Sequence, residues 1–288
     1  MKRKKISLVI FLVIITCFLT GCRQDDMEDI EIITTNYPNE YIINKLYGSY
    51  ATINSIYPDG VNISNYKITK KQKLEYSKKG LFVYNGLIEK ERDLAVELLD
   101  LNNELKIIDS AYVLETDYSP EELWLNPSSL LMMSQNVRIG LKEYITSSYL
   151  KKDIDKNYNK LKVDLSELDA DYRVAVENSK NKIIVVNDSS LKFLEKFGLT
   201  VYCLDDDISN KDLNDVYNLI NKGIISYIYL YNGDELTSTS TNIINSFPAV
   251  SKLEINKLDN ITDQERDNKQ DYLSIMNDNL ELLKKELY

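Results

Sequence analysis

Residues 119–136 read SPEELWLNPSSLLMMSQN, and they hold the single tryptophan of the chain, Trp124. Two carboxylates, Glu121 and Glu122, precede it directly on a Pro-marked loop. Paired carboxylates can move protons or hold a hard cation. The chain contains no histidine, so any acid–base work falls to Glu, Asp, Lys or Tyr. It has no glycine-rich phosphate loop and no Gly-x-Ser-x-Gly elbow. These residues therefore point to binding, and the expectation is that the protein is not an enzyme. Asp205, Asp206 and Asp207 read as a solvated turn after a strand, and Cys203 reads as a buried free thiol within one. Tyr227, Tyr229 and Tyr231 alternate on one strand face, which is sheet packing with Tyr231 able to reach a cleft. Met132 and Met133, at a helix start, are expected in the core.

The first residues carry a second kind of chemistry. MKRKK is a basic run and Ile6–Leu19 is apolar, the layout of a secretory signal. The apolar run is shorter than the ~20 residues that a spanning helix needs. It ends in Leu19-Thr20-Gly21-Cys22, which resembles a bacterial lipoprotein cleavage box. Cleavage would leave Cys22 as the lipidated N-terminus and a membrane anchor on the extracytoplasmic face. Removal of Lys2, Arg3, Lys4 and Lys5 takes the net charge from −10 to −14. So acidic a chain disfavours nucleic acid and anionic lipid as partners. Of the three cysteines only Cys203 remains unmodified, which leaves no intramolecular disulfide.

Behind these residues the chain alternates short apolar runs with amphipathic ones. Strands are expected at 30–34, 51–57, 81–84 and near 105–108, with helices at 38–48, 70–79 and about 88–102. The βα rhythm returns with strands at 182–186, 199–204, 224–231 and 252–255 and helices at 189–196, 209–221 and about 238–246. Ser189 is expected to cap the first of these helices, and Thr262 with Glu265 forms a capping-box pair. The last helix places Tyr272, Met276, Leu280, Leu283 and Leu287 on one face. Between the halves, Ile154, Tyr158, Leu161, Leu165, Leu168 and Tyr172 recur at spacings of three and four with no Gly or Pro, which predicts one long helix. The fold class is α/β: two lobes with parallel sheets joined by a long backbone helix. The expected division is a signal peptide at 1–21, a tether at 22–29, a first lobe at 30–150, the backbone helix at 151–180 and a second lobe at 181–288. In open parallel sheets ligands sit beyond the carboxyl ends of the strands, so the loops at 58–69, 115–127, 187–190 and 231–237 should face the cleft.

TTNYPNEYIINKLYG, LFVYNG, LWLNP, LSELDADY, NDSSLKFLEKFGL and DYLSIMNDNLELLKKEL occur in that order. Together they resemble the metal-binding solute receptors of bacterial ABC importers, the zinc and manganese type, from about Glu31 to Leu287. The resemblance implies a receptor that captures a metal ion between its lobes and delivers it to an ABC permease. It also implies three histidines and an acid, or two of each, as ligands. At the matching positions this chain has Ser64, Glu122 and Asn187. Counting forward along the last-but-one strand puts Tyr231 at the fourth position, and counting back from Ser251 puts Asp234 there with Glu235 beside it. The region matching the family's histidine-rich loop, 102–105, has none. The expected site is therefore all-oxygen. Such a site suits calcium, magnesium or manganese better than zinc. The expected cargo is a divalent cation or another small solute, and no resident cofactor is expected. The alternative is a degenerate member that no longer binds metal and acts as an adhesin-like surface lipoprotein.

Overall fold

The computed structural model describes residues 25–288. The signal segment and Cys22 lie outside the described residues. The strands β1 (Ile30–Thr34), β2 (Ala51–Ser55), β3 (Leu81–Tyr84) and β4 (Lys106–Asp109) form the first sheet, in the order β2-β1-β3-β4. The strands β5 (Ile183–Val186), β6 (Thr200–Cys203), β7 (Tyr227–Tyr231) and β8 (Ser251–Ile255) form the second, in the order β6-β5-β7-β8. Every pairing is parallel. Both sheets reverse winding direction, between β1 and β3 and between β5 and β7, and such switch points open a crevice at the strand ends.

The helices are α1 (Tyr37–Tyr47), α2 (Lys70–Tyr76), α3 (Glu89–Leu101), α4 (Pro127–Tyr144), α5 (Ser148–Glu177), α6 (Asn210–Asn221), α7 (Ser238–Ser246), α8 (Asp263–Asp267) and α9 (Tyr272–Leu287). Short 3₁₀ segments cover Pro120–Leu125 and Ser189–Phe197. The backbone helix α5 has 30 residues and begins three residues earlier than its periodicity implies, because Ser147 caps it. At 1.5 Å per residue it spans roughly 45 Å.

Alternation along the strands explains how the layers assemble. Ile32, Leu81, Val83, Ile184, Val186, Tyr229 and Tyr231 face a single core shared with α1, α4, α5 and α9. Their neighbours Ile33, Phe82 and Tyr84 face α3, and Val185 and Ile228 face α6 and α7. The two lobes thus share one core along α5, with a smaller one outside each sheet. Ile154, Leu161, Leu165, Leu168 and Tyr172 of α5 are buried as the spacing requires, Tyr158 is half-buried, and the Tyr172 hydroxyl donates to the Met276 carbonyl at 2.7 Å.

Three local expectations need correction. The segment from Asp25 is not a free tether. Its turn packs on the first lobe, with Met27 fully buried and the Tyr47 hydroxyl donating to the Met27 carbonyl at 2.9 Å. Met132 is exposed, and only Met133 enters the core, because consecutive helix positions point about 100° apart. Asp188, not Ser189, caps the 189–197 segment, since its side chain accepts from the Ser190 N–H.

Asp25 fixes the entry of the chain. Its carboxylate accepts from the N–H groups of Met27, Thr146 and Ser147 and from the Thr146 hydroxyl, all at 2.7–3.0 Å. Burial pushes its carboxyl pKa up, but these hydrogen bonds outweigh that effect and hold it below the usual range. Asp25→Ala should lower stability by about 1–3 kcal/mol, because four donors lose their acceptor. Urea denaturation followed by circular dichroism measures this. The stability from Asp25 is present above its unfolded pKa near 3.8 and is lost as pH falls through the lower folded value.

Candidate functional site

The loop after β4 meets the loops after β5 and β7 through Glu122, Tyr231 and Ser190, and it meets the loop after β2 at a separate cavity. The 3₁₀ segment after β4 brings in Glu121, Glu122 and Trp124. Ser119 caps that segment and Asn126 caps α4, so the carboxylates and the ring sit on a loop fixed at both ends. Trp124 is buried, its Nε1 donates to the Lys257 carbonyl at 2.8 Å, and its own carbonyl accepts from the Tyr272 hydroxyl at 2.6 Å.

The expected ligand residues divide into groups. Glu122 is only 2% exposed. Its Oε1 meets the Tyr231 hydroxyl, which also lies 3.1 Å from the Ser190 carbonyl, and its Oε2 has no protein partner. Burial pushes its pKa from 4.5 to about 8, against the opposing pull of Tyr231 and Lys257. The Tyr231 hydroxyl carries one proton and faces two acceptors. A protonated Glu122 resolves this by donating to Tyr231, which then donates to Ser190. Tyr231 itself is held well above its ordinary pKa, by burial first and then by the charge of Glu122.

Asn187 is buried and hydrogen-bonded through both its amide oxygen and its amide nitrogen. Its Oδ1 accepts from the Thr237 N–H at 2.9 Å, and its Nδ2 donates to Asp188 at 3.0 Å and to the Glu235 carbonyl at 3.1 Å. It holds the 231–237 loop, and both its amide atoms are engaged in doing so. Asp234 and Glu235 are exposed on that loop, and burial of its surroundings raises Asp234. Ser64 is exposed, on a turn where its N–H donates to Asn62 Oδ1 at 3.0 Å.

A cavity of about 60 Å³ lies between the lobes, bounded by Asn36, Tyr57, Ser64, Glu121, Trp124 and Asp259, with Glu91 and Lys90 at its wall. Of the expected set it collects Ser64 alone. Of the carboxylate pair it is Glu121, not the expected Glu122, that lines the cavity, and sequence reasoning missed Asp259. Asp259 lies in the loop after β8, and burial raises its pKa. The second lobe thus reaches the cavity through the loop after β8. A Leu-Asp-Asn turn following the last strand was the available signal. Glu91 is buried and driven up to about 7 by desolvation, yet both its oxygens are engaged, by Thr35, by Asn36 Nδ2 at 3.1 Å and by the Asn85 N–H at 2.7 Å. It organises the wall of the cavity.

Zinc favours imidazole and thiolate donors in a compact set. Among the described residues no three His, Cys, Asp or Glu side chains are grouped to hold a metal ion. Glu122 is driven toward its neutral acid and Asn187 is committed to holding the 231–237 loop, so this donor set does not fit a zinc centre of the usual kind.

The family model described as ZnuA, zinc-uptake complex component A, periplasmic, matches residues 32–286. The zinc-binding lipoprotein AdcA of Streptococcus pneumoniae is 21% identical over 98% of this chain and 60% of its own length. The chain therefore spans about 60% of the curated relatives that it matches. The crystal structure of the Zn(II)-bound ZnuA-like domain of that protein superposes with a TM-score of 0.72 at 22% identity, covering 90% of this chain and 99% of the domain. The metal-dependent lipoprotein YcdH of Bacillus subtilis superposes with a TM-score of 0.74 at 18% identity, covering 90% of this chain and 99% of its own. These likenesses establish the fold: two parallel-sheet lobes on a long helix.

Proposed function

The chain belongs to the ZnuA family of zinc-uptake components, and from that membership we propose that it is an extracytoplasmic solute-binding lipoprotein of a metal-type ABC importer, anchored through Cys22, whose cargo is a divalent cation held by oxygen donors. Members of this family are solute-binding proteins and not enzymes. The observation that carries the reading is the interlobe cavity, where Ser64, Glu121 and Asp259 come together from loops of both lobes. Its volume of about 60 Å³ has room for an ion and a water. Hard oxygen donors, two of them carboxylates, favour manganese, calcium or magnesium over zinc. Delivery to a permease follows from the receptor role.

The test is native mass spectrometry and thermal shift of the detergent-solubilised protein against Mn²⁺, Ca²⁺, Mg²⁺ and Zn²⁺. The expected result is a one-ion adduct with Mn²⁺ or Ca²⁺ and a rise in midpoint of a few degrees. Saturation at ~100 times Kd stabilises by about 2.7 kcal/mol. Glu121→Gln and Asp259→Asn should each weaken the adduct about tenfold or more, whereas Asn187→Ala should leave the affinity unchanged at the cost of loop stability. A tight Zn²⁺ adduct that depends on Glu122 would sink this donor assignment.

A second reading is a surface lipoprotein that keeps the receptor fold without cargo. The Glu122–Tyr231 contact and the bonds from Asn187 to the 231–237 loop favour it, because both use these groups for structure. No response to any of the four ions, with retained surface exposure, is its expected signature.

A further inference from the structure

The cavity lies beside a cation that the chain supplies itself. Lys257 stands in the loop after β8, and its ammonium is 3.0 Å from Glu121 Oε2 and 5.7 Å from the centre of the Tyr231 ring. Its side chain is 24% exposed and that of Glu121 48%, so the lysine is the more withdrawn partner and the carboxylate stays half open to water. Asp259 and Asp234 add negative potential at the same point. The Lys257 carbonyl also accepts from Trp124 Nε1, so this residue grips the tryptophan loop through both its backbone and its side chain.

We propose that the Lys257 ammonium stands in for a divalent ion as the cation that joins the two lobes at the cavity, through Glu121, so that the lobes close there without bound metal. A divalent ion needs several ionised carboxylates converging on one point. A single ammonium needs less: one carboxylate and the face of an aromatic ring satisfy much of its charge. The first lobe provides the carboxylate, Glu121, and the second lobe provides the ring, Tyr231, together with the lysine. This matches a chain that retains the receptor fold and lacks every imidazole.

The rest of the 256–268 connection holds the same closure. Asn260 Nδ2 donates to the carbonyls of Pro58 and Val61 at 2.9 and 3.0 Å, and the Gly60 N–H donates to the Ile261 carbonyl at 2.8 Å. The Tyr37 N–H donates to the Asp259 carbonyl at 3.0 Å. Arg266 forks onto Glu40 at 2.7 and 2.9 Å and also pairs with Asp59. Asp259 of this connection lines the cargo cavity, and Lys257 pairs with Glu121 at its edge, so Lys257 is the cation of the connection that couples closure to the charge there. A cation entering the cavity competes with it for Glu121. The proposal shares the cavity with the receptor reading and does not require that cargo be a metal.

The test uses the full chain in detergent as wild type, Lys257→Met and Lys257→Arg. Each is incubated with EDTA, or with Mn²⁺ or Zn²⁺ after EDTA removal. Lobe separation is followed by the rate of limited proteolysis at the 58–62 loop and by the radius of gyration from X-ray scattering. Wild type and Lys257→Arg should be closed in every buffer. Lys257→Met should be cleaved about tenfold faster in EDTA, because the closing pair is lost and local opening becomes easier. Mn²⁺ should restore slow cleavage in that variant, since Glu121 and Asp259 are then left without a cation. Opening of the wild type in EDTA would overturn the proposal, and that arm holds even if Lys257→Met fails to fold. A Lys257→Met protein as closed as wild type in EDTA would also overturn it. If wild type binds Mn²⁺ while Lys257→Met stays closed in EDTA, the receptor reading stands and this proposal falls. If wild type binds no ion while the variant opens and then responds to Mn²⁺, the proposal stands and the cargo assignment falls.

Discussion

Trp124→Ala is expected to cost about 3–5 kcal/mol of stability, with Trp124→Phe costing less than half of that. The ring is 2% exposed and belongs to the core that both lobes share along α5. Truncation removes a large apolar surface and leaves a cavity that the surrounding strands cannot fill, since each is fixed by its sheet. It also removes the donor to the Lys257 carbonyl, so the first and second lobes lose a direct link. Phenylalanine restores most of the packing but not the donor, which isolates the hydrogen-bond share at about 1 kcal/mol. Urea denaturation followed by far-ultraviolet circular dichroism gives the difference, because the only indole fluorophore is removed by either change. A loss below ~1 kcal/mol in the alanine variant would mean that the tryptophan loop is an independent flap and not part of the shared core.

The same residue shows how much of this molecule was readable in advance. A lone tryptophan between two carboxylates and a Leu-Asn-Pro turn marks a loop with something to hold, and it does lie at the cleft. The long helix was legible because its apolar positions keep one spacing with no breaker, and burial of that stripe on both lobes is what the periodicity records. The strands were legible for the same reason, since alternation sorted Ile32 from Ile33 and Val185 from Val186 onto opposite sheet faces.

The site was legible only in part. Position along the chain located the loops, but it does not say which neighbour will satisfy each side chain. Asn187 could have offered an oxygen to the cleft, yet the Thr237 N–H, fifty residues away in sequence, takes it. Glu122 and Glu121 are adjacent, and the direction of the short 3₁₀ segment decides which faces inward. Glu122 turns into the core toward Tyr231 while Glu121 remains at the cavity with Lys257. The end of β7, and not the loop after β8, lies at the expected fourth position in the sequence. The return of the β8 loop across the cleft depends on contacts to Pro58, Gly60 and Val61 that no local pattern encodes.

Glu122 carries the other large expectation, a pH dependence with a definite sign. Its folded pKa of about 8 lies above the ordinary 4.5, with burial as the main cause. The folded state therefore holds a proton that the unfolded chain releases. The stabilisation is fully present below about pH 4.5 and is lost as pH rises through about 8. Each pH unit in that window changes stability by at most about 1.4 kcal/mol, so the total is at most about 5 kcal/mol. Other raised carboxyls, Glu91 and Asp259 among them, contribute slopes of the same sign, so the informative quantity is the difference between variants. Glu122→Gln keeps the shape and the donor that the protonated acid offers Tyr231, and it cannot ionise. It should match wild type near pH 4.5 and exceed it at pH 8 by most of that total. Tyr231→Phe should destabilise at both pH values, because the Ser190 carbonyl and Glu122 lose the hydroxyl between them. Urea midpoints from pH 4.5 to 8.5 on the three proteins decide it. Parallel curves for wild type and Glu122→Gln would show that Glu122 is ionised in the folded protein. It would then be available to a cation after all, and the division of the site into a structural half and a cargo half would have to be redrawn.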